Sequence, residues 1–103
     1  MSEEDNPHLE LTGGRLTALR ELPYHGREFE RACHQLLESE VPELVIDLSR
    51  LTYVASPQIG ALVAACRRAT EAGRVLRILI SPDLERFVER VRIDGFIDYE
   101  VVD

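Results

Sequence analysis

The chain has 103 residues, of which 45% are hydrophobic and 30% are charged, and its formal net charge is −7. This length fits one domain with a single core, and the negative charge argues against nucleic acid or anionic lipid as the main partner. No apolar run approaches the ~20 residues of a membrane span, so membrane insertion is not expected.

Residues 1–7 open the chain with acidic and polar side chains. A secretory signal would begin with basic residues and continue with an apolar run, so this opening does not resemble one. We therefore predict a disordered lead-in at 1–7, a single domain at 8–103 and a cytoplasmic location.

Two strands and a helix are predicted in the first third of the domain. Apolar and polar residues alternate on both sides of Gly13-Gly14, which is typical of a tight hairpin. The second strand of this hairpin covers residues 15–19. At 26–39 the apolar residues recur at helical spacing, which predicts an amphipathic helix that ends before Pro42.

The second half of the chain alternates strands with helices. The predicted elements are a buried strand at 44–48, a helix at 57–72, a strand at 75–80, a helix beginning at Ser81-Pro82 and an edge strand at 96–102. Gly73 is the expected stop of the first of these helices. This order predicts an α/β fold, a mixed sheet of four or five strands with helices packed mainly on one face.

The loop between the strand at 44–48 and the next helix presents a serine. Ser56 is predicted to cap the helix, because its hydroxyl can accept hydrogen bonds from the free amides of the first turn. Pro57 suits the first helical position, where its missing N–H costs nothing. The loop would therefore hold one hydroxyl at the positive end of a helix.

Residues of this loop and of the first helical turn form the predicted partner-binding surface, since loops held at the end of a buried strand commonly carry binding. They are Thr52, Tyr53, Ser56, Gln58 and Gly60. Two of them have structural alternatives. Tyr53 could instead cover the sheet edge, and Gly60 could instead allow close helix packing.

Neither a catalytic site nor a metal site is predicted. No base or nucleophile-elbow pattern surrounds Ser56, and Asp47 lies on a strand without a second reactive group nearby, which favours a structural role. The histidines, His8, His25 and His34, lack metal-ligand spacing with the cysteines, and solvated side chains are expected. No cofactor motif is present either.

Cys33 and Cys66 fall on the apolar faces of predicted helices. This position favours buried, reduced thiols over a disulfide or a metal pair.

Several motifs in sequential order resemble the STAS domain, the family of bacterial anti-sigma factor antagonists and of the cytoplasmic domains of sulfate transporters. They are Asp47-Leu48-Ser49, Leu51-Thr52-Tyr53-Val54, the serine at 56, Ile59-Gly60-Ala61-Leu62, Ala72-Gly73-Arg74, the run at 76–82 and Ile93-Asp94-Gly95-Phe96-Ile97. The resemblance covers residues 41–102 well and the N-terminal third only in outline, where Pro23 and Tyr24 replace the family's Gly-Glu-Leu-Asp.

The resemblance implies a regulatory protein-interaction module that binds a serine kinase acting as anti-sigma factor. Ser56 aligns with the serine that the kinase phosphorylates in anti-sigma factor antagonists. The family's acidic residue before that serine is Ala55 here, and the following Ser-Gly is Pro57-Gln58. Capping alone therefore stays open as a role for Ser56.

Two further readings of the function are open. The chain could be an unmodified STAS scaffold, or a subunit of a larger signalling or transport complex. It could also bind a small ligand, a nucleotide or a lipid, at the same helix end. The sequence also leaves homodimerisation open.

Overall fold

A computed structural model describes residues 8–23, 27–93 and 95–103. Its elements in chain order are β1 (Leu9–Thr12), β2 (Arg15–Ala18), α1 (Glu28–Leu37), β3 (Glu43–Leu48), α2 (Ser56–Glu71), β4 (Val75–Ile80), α3 (Pro82–Arg90) and β5 (Tyr99–Val101). The lead-in predicted at 1–7 lies outside the described residues.

The five strands form one mixed sheet in the order β1-β2-β3-β4-β5. β1 and β2 are the antiparallel hairpin predicted around Gly13-Gly14, and the later neighbours pair in parallel. Each parallel step from β2 to β5 advances across the sheet in the same direction. Because such crossovers are right-handed, α1, α2 and α3 lie on the same face, which confirms the predicted α/β architecture.

Alternate strand residues on the helix-covered face form the core. Leu44, Ile46 and Leu48 of β3 are buried, whereas Val45 and Asp47 between them are only partly covered. The helices contribute their buried faces, which include Phe29, Leu36, Leu62, Leu84 and Val88. Complete burial of one such side chain contributes about 1.5–3 kcal/mol, so this layer provides most of the driving force for folding.

The opposite face of the sheet carries ion pairs. Arg15 on β2 contacts Asp47 on β3 at 2.7 Å, and Arg77 on β4 contacts Glu100 on β5 at 2.8 Å. Both arginine side chains are close to half exposed. Pairs of this kind contribute little, up to about 1 kcal/mol each.

The observed ends of several elements differ slightly from the predicted ones. α1 is shorter at both ends than the predicted 26–39, and β5 covers only Tyr99–Val101 of the predicted 96–102. Gly73 adopts a φ of +69° directly after the last turn of α2, as its predicted role requires. In the described ranges, none of the helices combines the length and the apolar character that crossing a membrane would need.

Candidate partner-binding surface

The loop between β3 and α2, residues 49–55, is held in place near both of its ends by hydrogen bonds and by buried side chains. The Asp47 carboxylate accepts hydrogen bonds from the backbone amide and the hydroxyl of Ser49, at 3.0 and 2.7 Å. Leu51 and Val54 are buried in the core, exposed by 0% and 3%. The residues between these anchors are therefore presented at a defined place above the sheet.

A second loop, between β2 and α1, is hydrogen-bonded to the first. The Glu21 carboxylate accepts from the amide and the hydroxyl of Thr52, both at 3.0 Å. The Gln58 amide group donates to the Pro23 carbonyl at 3.0 Å. Local sequence patterns do not predict these contacts of Glu21 and Pro23, because the partners lie more than thirty residues away along the chain.

The N-terminus of α2 differs from the prediction. Ala55, with φ −81° and ψ 166°, occupies the N-cap, so Ser56 is the first helical residue and Pro57 the second. The prediction that Ser56 is the cap is therefore wrong. Gln58 supplies the capping interaction instead, because its side-chain oxygen accepts from the Ala55 amide at 2.8 Å.

Gln58 is buried, with 4% of its surface exposed. The prediction that it lies on the exposed surface is wrong, because both ends of its amide group are used inside the protein. Any effect of Gln58 on a partner would act through the position of the loop rather than through contact.

Ser56 is exposed, and its hydroxyl makes no hydrogen bond to any described residue. The first turn of α2 contains no acidic residue, whereas the first turn of α3 contains Asp83 and Glu85. The positive end of the α2 dipole is therefore not compensated by a carboxylate from its own first turn. Such an end favours a negatively charged group.

Tyr53 and Gly60 are exposed on either side of this serine. The Tyr53 ring packs edge-on against Phe87 of α3, with centroids 6.3 Å apart, and keeps 47% of its surface exposed. A Cβ atom built on Gly60 would meet nothing within 4 Å, so close helix packing does not explain this glycine. Thr52, Tyr53, Ser56 and Gly60 are therefore accessible in the loop and at the start of α2, whereas Val54 and Gln58 between them are buried.

The Asp47 carboxyl, just before this loop, has hydrogen-bond partners within the fold. Partial burial would raise the pKa of the Asp47 carboxyl, but hydrogen bonds from Ser49 and the Arg15 guanidinium outweigh it and lower the pKa. These hydrogen bonds are contacts within the fold, between β2, β3 and the loop that follows β3. Burial also raises the pKa of the Cys33 thiol to about 12.

The cysteines are both free, and Cys33 is buried as predicted, whereas Cys66 is only half-buried. Burial raises the pKa of the Cys66 thiol as well. His34 is exposed, His8 is partly buried with its Nδ1 3.2 Å from the Glu21 carbonyl, and His25 lies outside the described residues. Over the described ranges, no three histidine, cysteine or acidic side chains come together in a metal-binding cluster.

A comparison with protein-family models matches residues 2–102 to the family described as "Mlab, STAS domain". Comparisons with curated proteins and with solved structures gave no match.

Proposed function

This chain belongs to the STAS domain family, and from that premise we propose that it acts like an anti-sigma factor antagonist, binding a serine kinase that serves as anti-sigma factor. Membership of the family supports a STAS-type interaction or regulatory module. The kinase partner, the phosphorylation of Ser56, the cytoplasmic location and the absence of catalytic activity are our proposals.

The observation that carries the proposal is the state of the Ser56 hydroxyl. It is exposed and, unlike that of Ser81, it is not used to cap a helix. A kinase can therefore reach it without breaking a structural hydrogen bond. A phosphate attached there would also lie close to the amides at the positive end of α2.

Phosphorylation would act as a switch through desolvation and charge. It adds close to two negative charges in the middle of the predicted docking surface, between Tyr53 and Gly60. A partner that covers this loop would have to remove water from the phosphate or place its own charges against it. The modified form is then expected to bind weakly, while the fold is kept.

Two residues beside Ser56 favour a second candidate, a STAS scaffold or complex subunit whose serine is not modified. Ala55 stands where anti-sigma factor antagonists have an acidic residue. Pro57, the second helical residue, restricts the backbone that a kinase would have to engage. In that case the same loop would bind its partner permanently.

We expect Ser56→Asp and Ser56→Glu to lose binding to the cognate kinase while wild type and Ser56→Ala keep it. The measurement is the affinity of each form for serine kinases encoded near this gene, with circular dichroism as the check on folding. Thr70→Asp is the matched control, since it adds the same charge at an exposed position further along α2. Equal binding by all forms would refute the switch and favour the unmodified scaffold.

A further inference from the structure

A groove of about 500 Å³ runs between α1 and α2 on the helix-covered side of the molecule. Both helices connect parallel strands, so they run in the same direction and their N-termini lie at the same end of the groove. That end is next to Ser56, because Pro57 and Gln58 line the groove there.

The groove is open because the middle of its α2 wall carries only small residues. Gly60, Ala61 and Ala64 of α2 face Phe29 and Leu37 of α1 across it. Small residues let a third element approach a helix closely, and a helix packs best into a groove of this kind. The shape therefore fits a helical segment rather than a flat surface.

The charge of the groove differs from that of the whole chain. The protein carries a net charge of −7, yet Arg27 and Arg68 line the groove and neither forms an ion pair with a described residue. Among the described lining residues, Glu30 is the one carboxylate, and His34 lies beside it on α1. The two guanidinium groups favour an acidic occupant.

Arg27 is also placed where a helix ordinarily disfavours a cation. It occupies the N-cap of α1 and makes no capping hydrogen bond with its side chain. The helix dipole is positive at this end, although Glu28 and Glu30 in the first turn offset part of it. An acidic group docked there would meet the guanidinium and the helix end together.

We propose that this groove binds an amphipathic helix of a protein partner, one that carries acidic residues at both ends of a small-residue or apolar face. Arg27 lies at the end marked by Pro57, and Arg68 lies eleven residues further along α2. At about 1.5 Å per residue, the two cations are on the order of 16 Å apart along the groove. The matching carboxylates are therefore about three helical turns apart. This inference does not depend on phosphorylation of Ser56 or on a kinase partner.

The test is selection from a display library of amphipathic helices of about 18 residues, long enough to span the groove. Peptides that bind wild-type protein are kept, and those that also bind Ala64→Leu are removed. The larger leucine side chain fills the groove in this variant. We expect the enriched peptides to carry Asp or Glu about eleven positions apart with apolar or small residues between them. Thr70→Leu, which adds the same side chain outside the groove, should bind these peptides as wild type does.

Charge reversal then tests the two arginines. Arg27→Glu and Arg68→Glu should each weaken the selected peptides at least roughly tenfold, whereas Arg31→Glu and Arg67→Glu, exposed on the same two helices, should not. Enriched peptides without the acidic spacing, no enrichment at all, or equal losses in all four variants would overturn the proposal. So would a small molecule or a second copy of the chain that native mass spectrometry detects on wild type and not on Ala64→Leu.

Discussion

Ser56 and Ser81 begin the same dipeptide, Ser-Pro, at the start of a helix, but they have different roles. Ser81 is an N-cap: its hydroxyl oxygen accepts from the Leu84 amide at 3.0 Å, and its O–H group donates to the Leu51 carbonyl at 3.1 Å. Ser56 is one residue inside its helix, with an exposed side chain. The difference arises because Gln58 makes the capping hydrogen bond of α2.

The two serines should therefore respond differently to removal of the hydroxyl. Ser81→Ala is expected to lower the free energy of unfolding by about 1–2 kcal/mol, since it deletes a cap and a second hydrogen bond. Ser56→Ala should change it by less than about 0.5 kcal/mol, the usual range for an exposed site. Urea unfolding of both variants measures this directly, and a larger loss in Ser56→Ala would restore Ser56 as a cap.

Asp47 gives the protein an acid-sensitive contact between β2 and β3. Its pKa lies below the ordinary value of 3.8, because hydrogen bonds from Ser49 and Arg15 outweigh the effect of burial. A carboxyl whose pKa is lower in the folded state stabilises the fold above its ordinary value. That stability is lost as the pH falls below about 4, through the pKa of the folded state.

Asp47→Asn is accordingly expected to lower the free energy of unfolding near neutral pH by about 0.5–1 kcal/mol, a small value because Arg15 is half exposed. The difference from wild type should shrink as the pH falls below about 4. Urea unfolding across pH 2–7 measures it, with Glu71→Gln, an exposed carboxylate on α2, as the control. A constant difference at all pH values would contradict the assignment.

At the scale of elements, Arg74 joins the connection between α2 and β4 to the connection between α1 and β3. Its guanidinium donates to the carbonyls of Leu37, Ser39 and Val41, at 3.0, 2.6 and 2.6 Å. It thereby satisfies carbonyls in the last residue of α1 and in the connection that follows, where the end of a helix leaves carbonyls without partners. One side chain after α2 fixes the path of the chain between α1 and β3.

Arg74→Met keeps most of the length of the side chain and removes all three hydrogen bonds. We expect it to cost about 2–3 kcal/mol, since hydrogen bonds from a charged group are worth more than neutral ones. Arg74→Lys should recover only part of this, because an ammonium group cannot reproduce the planar fork. Thermal unfolding would measure both, and Arg67→Met, an exposed arginine of α2, should lie within about 0.5 kcal/mol of wild type. If Arg74→Met matches that control, the clamp adds nothing to stability.

For the whole molecule, the two thiols report how far the core opens. Cys33 is buried in the core with its pKa raised to about 12 by burial, so its reactive thiolate is scarce and inaccessible in the folded state. Cys66, on α2, is half-buried. Cys33 should become accessible only when the core itself opens.

We expect a thiol reagent without denaturant to leave Cys33 unmodified and to modify Cys66 slowly and in part. Peptide mass spectrometry distinguishes the two sites. In denaturant both should react at once. Fast labelling of Cys33 in the native state would mean that α1 does not pack against the sheet as described.

Sequence periodicity was enough to predict most of the architecture. The predicted bounds of β3, α2 and β4 lie within one residue of the observed ones, and α3 begins at the predicted Ser81-Pro82. These predictions succeed because hydrophobic period and the positions of glycine and proline are local properties. The one-sided arrangement of the helices followed from the order of these elements and from the handedness of crossovers. β5 was predicted too long, since an edge strand leaves a weaker apolar pattern.

Local patterns in the sequence are therefore enough to predict the class of fold and the loop that carries Ser56. The construction of that loop depends on contacts between distant residues: Gln58 is buried and caps α2, and Thr52 is hydrogen-bonded to Glu21. Gln58 and Pro23 are 35 residues apart, and Thr52 and Glu21 are 31 apart. A local pattern cannot reveal such pairs, because the sheet must first bring the ends of β2 and β3 side by side. The groove between α1 and α2 depends on the same step, since its two walls come from different crossovers.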